Sequence, residues 1–265
     1  MRPEARSLRR AASDLSPCVS LCKHSNLSLI PEHSVYTETF CGGAAVLFAK
    51  KPVPCEVIND INAEIINFYW MAKCYYPELK AEIDKTLHSR ALHDHARYIY
   101  SNPELFRPSE RSCALWFLTK TSFASKINGT FGFDFKGGQP KKLRNAKDTF
   151  TEELCDRLER VTIECQDALS VIRRYDRPET FHFVDPLYID TDCGHYNGLF
   201  NEQAFIKLLD VLSGLRGKFM LTMFPNEHIE EYSDKYHWTI HRFERTISAG
   251  RTNRRKQEEW IVCNY

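Results

Sequence analysis

Residues 34–71 read SVYTETFCGGAAVLFAKKPVPCEVINDINAEIINFYWM, and this stretch decides the fold class. Ser34–Phe40 is rich in β-prone Val, Tyr, Thr and Phe and runs into the turn Cys41-Gly42-Gly43. The apolar run Ala44–Phe48 suits a short helix, and Cys55–Ile58 is a second β-prone run. Asn62–Met71 carries Ile65, Ile66 and Tyr69, with Ala72 just beyond, at helical spacing. Strand, glycine turn, helix, strand and helix in that order open a doubly wound α/β sheet.

Working outward, the rhythm breaks between residues 77 and 160. Pro77–Leu92, Ser109–Ser122 and Thr151–Arg160 read as helices, around an aromatic, glycine-rich and basic loop at Phe123–Lys147. Strands resume at Thr162–Cys165, Phe181–Val184 and, after a helix at Glu202–Leu212, Phe219–Met223. Trp238–Phe243 and Trp260–Asn264 read as a closing antiparallel pair. The expectation is an α/β domain with a mostly parallel sheet, interrupted by a helical insertion. Residues 1–28 carry arginines and serines without periodicity and read as a divergent, poorly ordered extension.

Composition bounds the function. With 265 residues, 43% hydrophobic and 27% charged, the chain can bury one sizeable core and a smaller insertion. No apolar run reaches membrane-spanning length. The 10 cysteines are scattered, which suits a reducing cytoplasm rather than a disulfide scaffold. Cys18 and Cys22 lack a partner pair at metal spacing and read as incidental thiols, so no metal is expected. Net charge is only +1, yet basic residues cluster. Residues 136–147 hold Lys136, Lys141, Lys142, Arg144 and Lys147 without an acid. Residues 242–256 hold Arg242, Arg245, Arg251, Arg254, Arg255 and Lys256 against Glu244. Such clusters on a near-neutral chain suit a face that grips phosphates, although solvated loops carry the same pattern.

Three motifs follow predicted strands, where open α/β sheets bind ligands. Phe40-Cys41-Gly42-Gly43-Ala44 lets a ligand approach the backbone; alone it is an ordinary glycine turn. In Asn59-Asp60-Ile61-Asn62, Asp60 stands 18 residues beyond Gly42, a spacing that places a carboxylate at the ribose of an adenosine-type cofactor. Asp60 or Asn59 could equally cap the following helix. The third is Phe181-His182-Phe183-Val184-Asp185-Pro186-Leu187-Tyr188, an apolar strand running into Asp-Pro and an aromatic.

Together these motifs resemble the D12-class, Dam-like adenine-N6 DNA methyltransferases, whose active-site signature is Asp-Pro-Pro-Tyr. Here it reads Asp185-Pro186-Leu187-Tyr188. Tyr36–Ala44 is similar to the family's glycine motif, Asn59–Asn62 to its ribose motif, and Cys165-Gln166-Asp167-Ala168 to the segment whose acid contacts the cofactor adenine. Glu259–Tyr265 also fits, so the resemblance spans about residues 29–265. It implies a Rossmann-like fold dependent on S-adenosyl-L-methionine. Residues 29–76 and 161–265 would form the catalytic domain and 77–160 an inserted target-recognition domain.

By the resemblance, Phe40, Gly42, Gly43, Asp60, Asp167 and Asp185 bind the cofactor. Asp185 and the Pro186 carbonyl hold the target amine, and Tyr188 stacks on a flipped adenine of double-stranded DNA. Ala114-Leu115-Trp116-Phe117 through Gly138 is similar to the DNA-reading segment. Lys120, Lys126, Asn128, Lys136, Lys141, Lys142 and Arg144 are therefore expected at the DNA, with Arg251, Arg254 and Arg255 from the closing segment. A cytoplasmic protein, taken as a monomer, is the expectation, with restriction–modification, host regulation and phage protection left open as its role. The chain departs from the family pattern at Leu187, at Thr39 where proline is preferred, and in lacking Gly-Gly-Lys before Ile30. Thr39 is a minor departure; Leu187 and the missing Gly-Gly-Lys favour one alternative, a catalytically weakened or inactive methyltransferase-fold DNA-binding protein. Related motifs also serve RNA bases and glutamine amides, but the aspartate, the helical insertion and the basic stretches favour DNA adenine.

Overall fold

The computed structural model describes residues 27–125, 127, 129–187, 200–246 and 256–265. Among these, strands β1 (Val35–Glu38), β2 (Cys55–Asn59), β3 (Val161–Glu164), β4 (Thr180–Val184), β5 (Lys218–Met223), β6 (Thr239–Thr246) and β7 (Lys256–Cys263) form one sheet in the order β3-β2-β1-β4-β5-β7-β6. β1 to β5 run parallel, and β7 lies antiparallel between β5 and β6. The chain steps outward from β1 through β2 to β3, then returns to β4 on the other side of β1. The strand order therefore reverses between β1 and β4, and the carboxyl ends of that pair are where a doubly wound sheet opens a crevice.

Side-chain alternation explains why both faces are covered. Tyr36, Phe181, Phe183, Met220 and Ile261 point into one apolar cluster, while Val184, Phe219, Leu221, Trp260 and Val262 point into the other. The first face carries α1 (Ala45–Ala49), α2 (Ala63–Cys74), α3 (Tyr76–Lys85), α4 (Arg90–Ser101), α5 (Pro108–Thr121), α6 (Gly138–Thr149) and α7 (Glu153–Leu158). The second carries α8 (Ala168–Tyr175), α9 (Glu202–Ser213) and α10 (Glu227–Tyr236). No helix among the described residues is long and apolar enough to cross a membrane.

The structure corrects three readings of the sequence. Pro77–Leu92 is not one helix: α3 ends at Lys85, and Ser89 starts α4 by accepting the Leu92 N–H. The second half of the Phe123–Lys147 loop is helical, as α6. Its start is organised by Asp134, whose carboxylate accepts the N–H groups of Lys136, Gly138 and Gln139 at 2.7, 3.0 and 2.6 Å. Pro140 falls in the first turn, where a missing N–H costs nothing. The cap of α2 is neither Asp60 nor Asn59 but Asn62, which accepts the Glu64 N–H at 3.0 Å. Residues 1–26 of the expected extension lie outside the described residues.

Candidate active site

All four motif segments leave the carboxyl ends of adjacent strands, β3, β2, β1 and β4. Asn59, the last residue of β2, ties three of them. Its Nδ2 donates to the Thr39 carbonyl beyond β1 at 2.9 Å and to the Gln166 carbonyl beyond β3 at 3.0 Å. Its Oδ1 accepts the Gln166 N–H at 2.9 Å. The Cys41 N–H also donates to the Asn59 carbonyl, at 2.9 Å. Asn59 is 1% exposed, so nearly all its polar capacity is spent on holding the loops in register.

The glycine turn is held open from the same side. Gly42 adopts φ +45°, a left-handed conformation that strains any side chain, and a Cβ built there would meet nothing within 4 Å. That open space above the backbone is what a close-approaching ligand requires. Asp60 fastens the turn: its carboxylate accepts the Gly42 N–H at 3.0 Å and the Asn62 N–H at 2.9 Å. Tyr69 of α2 donates to the Gly42 carbonyl at 2.7 Å. Gly43 is buried, and the half-buried Phe40 meets the ring of Phe200 edge-on at 5.9 Å. Asp167 caps α8 through the Ser170 N–H at 2.9 Å and lies exposed at the end of β3. A carboxylate offers about four acceptor positions, so the bonds from the Ser170 N–H and hydroxyl leave room on the exposed Asp167 for a ligand amine.

Glu38 was not singled out by sequence reasoning, yet it sits at the centre of this edge. It is 2% exposed at the last position of β1 and accepts the Tyr36 hydroxyl at 2.8 Å and the Leu47 N–H at 2.9 Å. Burial pushes its carboxyl up to about 7, and the neighbouring negative charge of Asp185 adds to the rise. Strand alternation carries Glu38, Asp185 and Thr222 onto one face, at the tips of β1, β4 and β5. Asp185 is half-buried, Pro186 is buried, and the Thr222 hydroxyl donates to Asp185 Oδ1.

The expected DNA-binding residues divide. Lys136, Lys141, Lys142 and Arg144 are exposed on the Asp134 turn and α6. Lys120 is not: it is 2% exposed within α5, packed into the run Ala114–Thr121, so a phosphate does not reach it. Lys147 spends its charge on the Asp84 and Thr86 carbonyls. Tyr188, Lys126, Asn128, Arg251, Arg254 and Arg255 lie outside the described residues, as do Cys18 and Cys22.

A parallel sheet with an antiparallel β7, a glycine turn after β1 and an acid after β2 defines the S-adenosylmethionine-dependent methyltransferase fold. Comparison with known proteins narrows the class. The family model of D12 class N6 adenine-specific DNA methyltransferases matches residues 25–247, and the chain belongs to that family. It is 25% identical over 261 residues, covering 89% of each chain, to the type II methyltransferase M1.LlaDCHI of Lactococcus lactis subsp. cremoris.

Proposed function

We propose that this chain transfers a methyl group from S-adenosylmethionine to the N6 amine of an adenine flipped out of duplex DNA. The observation that carries the reading is the placement of Gly42 and Asp185 at the same end of neighbouring strands β1 and β4. Paired strands lie about 4.8 Å apart, so one small cleft can present a methyl donor to a group held at Asp185.

The open backbone at Gly42, the acid Asp60 beyond β2 and the acid Asp167 beyond β3 fit an adenosine-type ligand. Gly42 and Gly43 would line it, Asp60 accept ribose hydroxyls, and Asp167 accept the adenine amine, with Phe40 packing alongside. When bound, S-adenosylmethionine supplies an electrophilic methyl on a sulfonium. The chain's own work is on the acceptor. The lone pair of the target amine is delocalised into the purine ring and is a weak nucleophile. Asp185 and the Pro186 carbonyl accept its two N–H groups, which localises that lone pair and aims it across the cleft. Proline fixes its own φ, which limits the sweep of that carbonyl. Tyr188 takes the base-stacking role on sequence grounds. An adenine within the duplex cannot reach Asp185, so extrusion precedes transfer, at an unstacking cost of a few kcal/mol.

Residues 77–160 serve in this reading as the target-recognition segment, with Lys136, Lys141, Lys142 and Arg144 toward the phosphates. The Lactococcus relative is a type II methyltransferase, which supports a methyl-transferring role. The test is transfer of labelled methyl to plasmid DNA, with N6-methyladenine as the product. Asp185→Ala should lower the rate by about a hundredfold or more. Undiminished transfer by that variant refutes the assignment.

A further inference from the structure

Thr222 belongs to none of the motifs, and the chemistry just described does not assign it a task. It lies in β5, where Phe219, Met220, Leu221 and Met223 are apolar, and it is 0% exposed. A hydroxyl buried among apolar side chains costs free energy unless it finds a partner. Its partner here is Oδ1 of Asp185, 37 residues away in sequence.

Strand register explains the meeting. Val184 of β4 pairs with Leu221 of β5, so the next residues along, Asp185 and Thr222, stand side by side. Thr222 itself is still inside the ladder, paired on its other side with Ile261 of β7. Asp185 is not: β4 ends at Val184, and Pro186 has no N–H to continue the pairing. A side chain fixed by an interior strand thus grips one that has just left its strand.

We propose that Thr222 is a positioning residue, whose donated hydrogen bond fixes the Asp185 carboxylate in the orientation that receives the target amine. The inference rests on the function proposed above. A hydroxyl on a β-branched carbon suits the task. Its χ1 is stiff, and it donates a proton to a carboxylate without adding charge to the site.

Valine keeps the branched shape and removes the donor, and serine keeps the donor and removes a methyl. The full chain is assayed with S-adenosylmethionine and plasmid DNA, alongside Asp185→Ala. Thr222→Val should lower kcat about tenfold or more while KM for both substrates stays within about threefold, and Thr222→Ser should restore kcat to within about threefold of the parent. A merely structural hydroxyl would not give that split or that rescue. A smaller fall in the valine variant, or a serine variant as slow as valine, overturns the inference while Asp185→Ala still tests the parent reading. If the parent chain and Asp185→Ala are equally inactive, the function proposed above fails instead. Crystals of the valine variant then decide the geometry: Asp185 leaving its parent rotamer upholds the positioning role, and an unmoved Asp185 overturns it.

Discussion

Replacing Asn59 by alanine removes three hydrogen bonds of 2.9, 3.0 and 2.9 Å and leaves their backbone partners facing a cavity. Each bond contributes about 1 kcal/mol net, and each buried group left unpaired costs about 1–3 kcal/mol. Water entering from the carboxyl edge will rescue part of this, so a loss of about 3 kcal/mol is the working figure. For a chain of this size that is a fall of about 6–12 °C in Tm, measured by calorimetry. Aspartate separates hydrogen bonding from shape. It has the outline of asparagine, but it sets an oxygen against the Thr39 and Gln166 carbonyls where Nδ2 donates. Asn59→Asp should therefore cost at least as much as alanine at neutral pH, although it keeps the same number of heavy atoms. Because Asn59 holds the loops after β1 and β3, titration calorimetry should show S-adenosylmethionine affinity falling in both variants. A Tm loss below about 3 °C in the alanine variant, or an aspartate variant as stable as the parent, refutes the reasoning.

Two further outcomes follow from particular residues. His182 is 0% exposed, its Nδ1 lies 2.7 Å from the Thr37 hydroxyl oxygen, and burial lowers its pKa from 6.5 to about 4 against the opposing pull of Asp176. The unfolded chain takes up this proton near pH 6.5 and the folded chain does not, so stability should fall as pH drops from 6.5 to 4, by on the order of 2–3 kcal/mol. Urea midpoints of the parent minus those of His182→Gln isolate this contribution from Glu38, whose raised carboxyl acts in the opposite sense; parallel pH profiles would refute it. Phe135 is 90% exposed and meets the 60% exposed Phe133 edge-on at 5.9 Å, on the turn that Asp134 pins beside the exposed Lys136. Exposed rings stack on bases freed from pairing, as beside an extruded adenine, so Phe135→Ala should weaken duplex binding about tenfold in a fluorescence titration with Tm unchanged, and unaltered affinity counts against a DNA role for this turn.

The sheet was legible because its strands obey local rules. Ser34–Phe40 and Phe181–Val184 announce themselves through β-prone residues ending at a turn, and both became strands, the first trimmed by one residue at its start and two at its end, the second lengthened by Thr180. α6 was hidden because its organising residue, Asp134, sits outside the helix among phenylalanines that read as loop. Lys120 was misplaced for a related reason. A lysine reads as surface until the burial of its neighbours, Trp116, Phe117 and Leu118, is known. The site divides along the same line. Gly42, Asp60 and Asp185 stand in short motifs and could be read directly. Asn59 and Thr222 act on partners 107 and 37 residues away, and no window of sequence contains both members of either pair.

The same edge explains how a long helical segment can interrupt the sheet without disturbing the site. The segment leaves after β2 and rejoins at β3, and these two strands still pair in register from Glu56↔Val161 to Asn59↔Glu164. It is also bolted to the residues that follow Asp60. Asn62 donates from Nδ2 to the Tyr100 hydroxyl of α4 at 2.9 Å, and Glu64 accepts the Arg111 guanidinium of α5 through both oxygens, Nε at 3.0 Å. Asn62 caps α2 and gives its own N–H to Asp60. One turn of helix therefore connects the helices of the inserted segment to the carboxylate that holds Gly42. A shift of α4 or α5 relative to the sheet has to strain or break these bonds. In the function proposed here, the surface that meets DNA and the turn that meets the cofactor are mechanically one unit through Asn62 and Glu64.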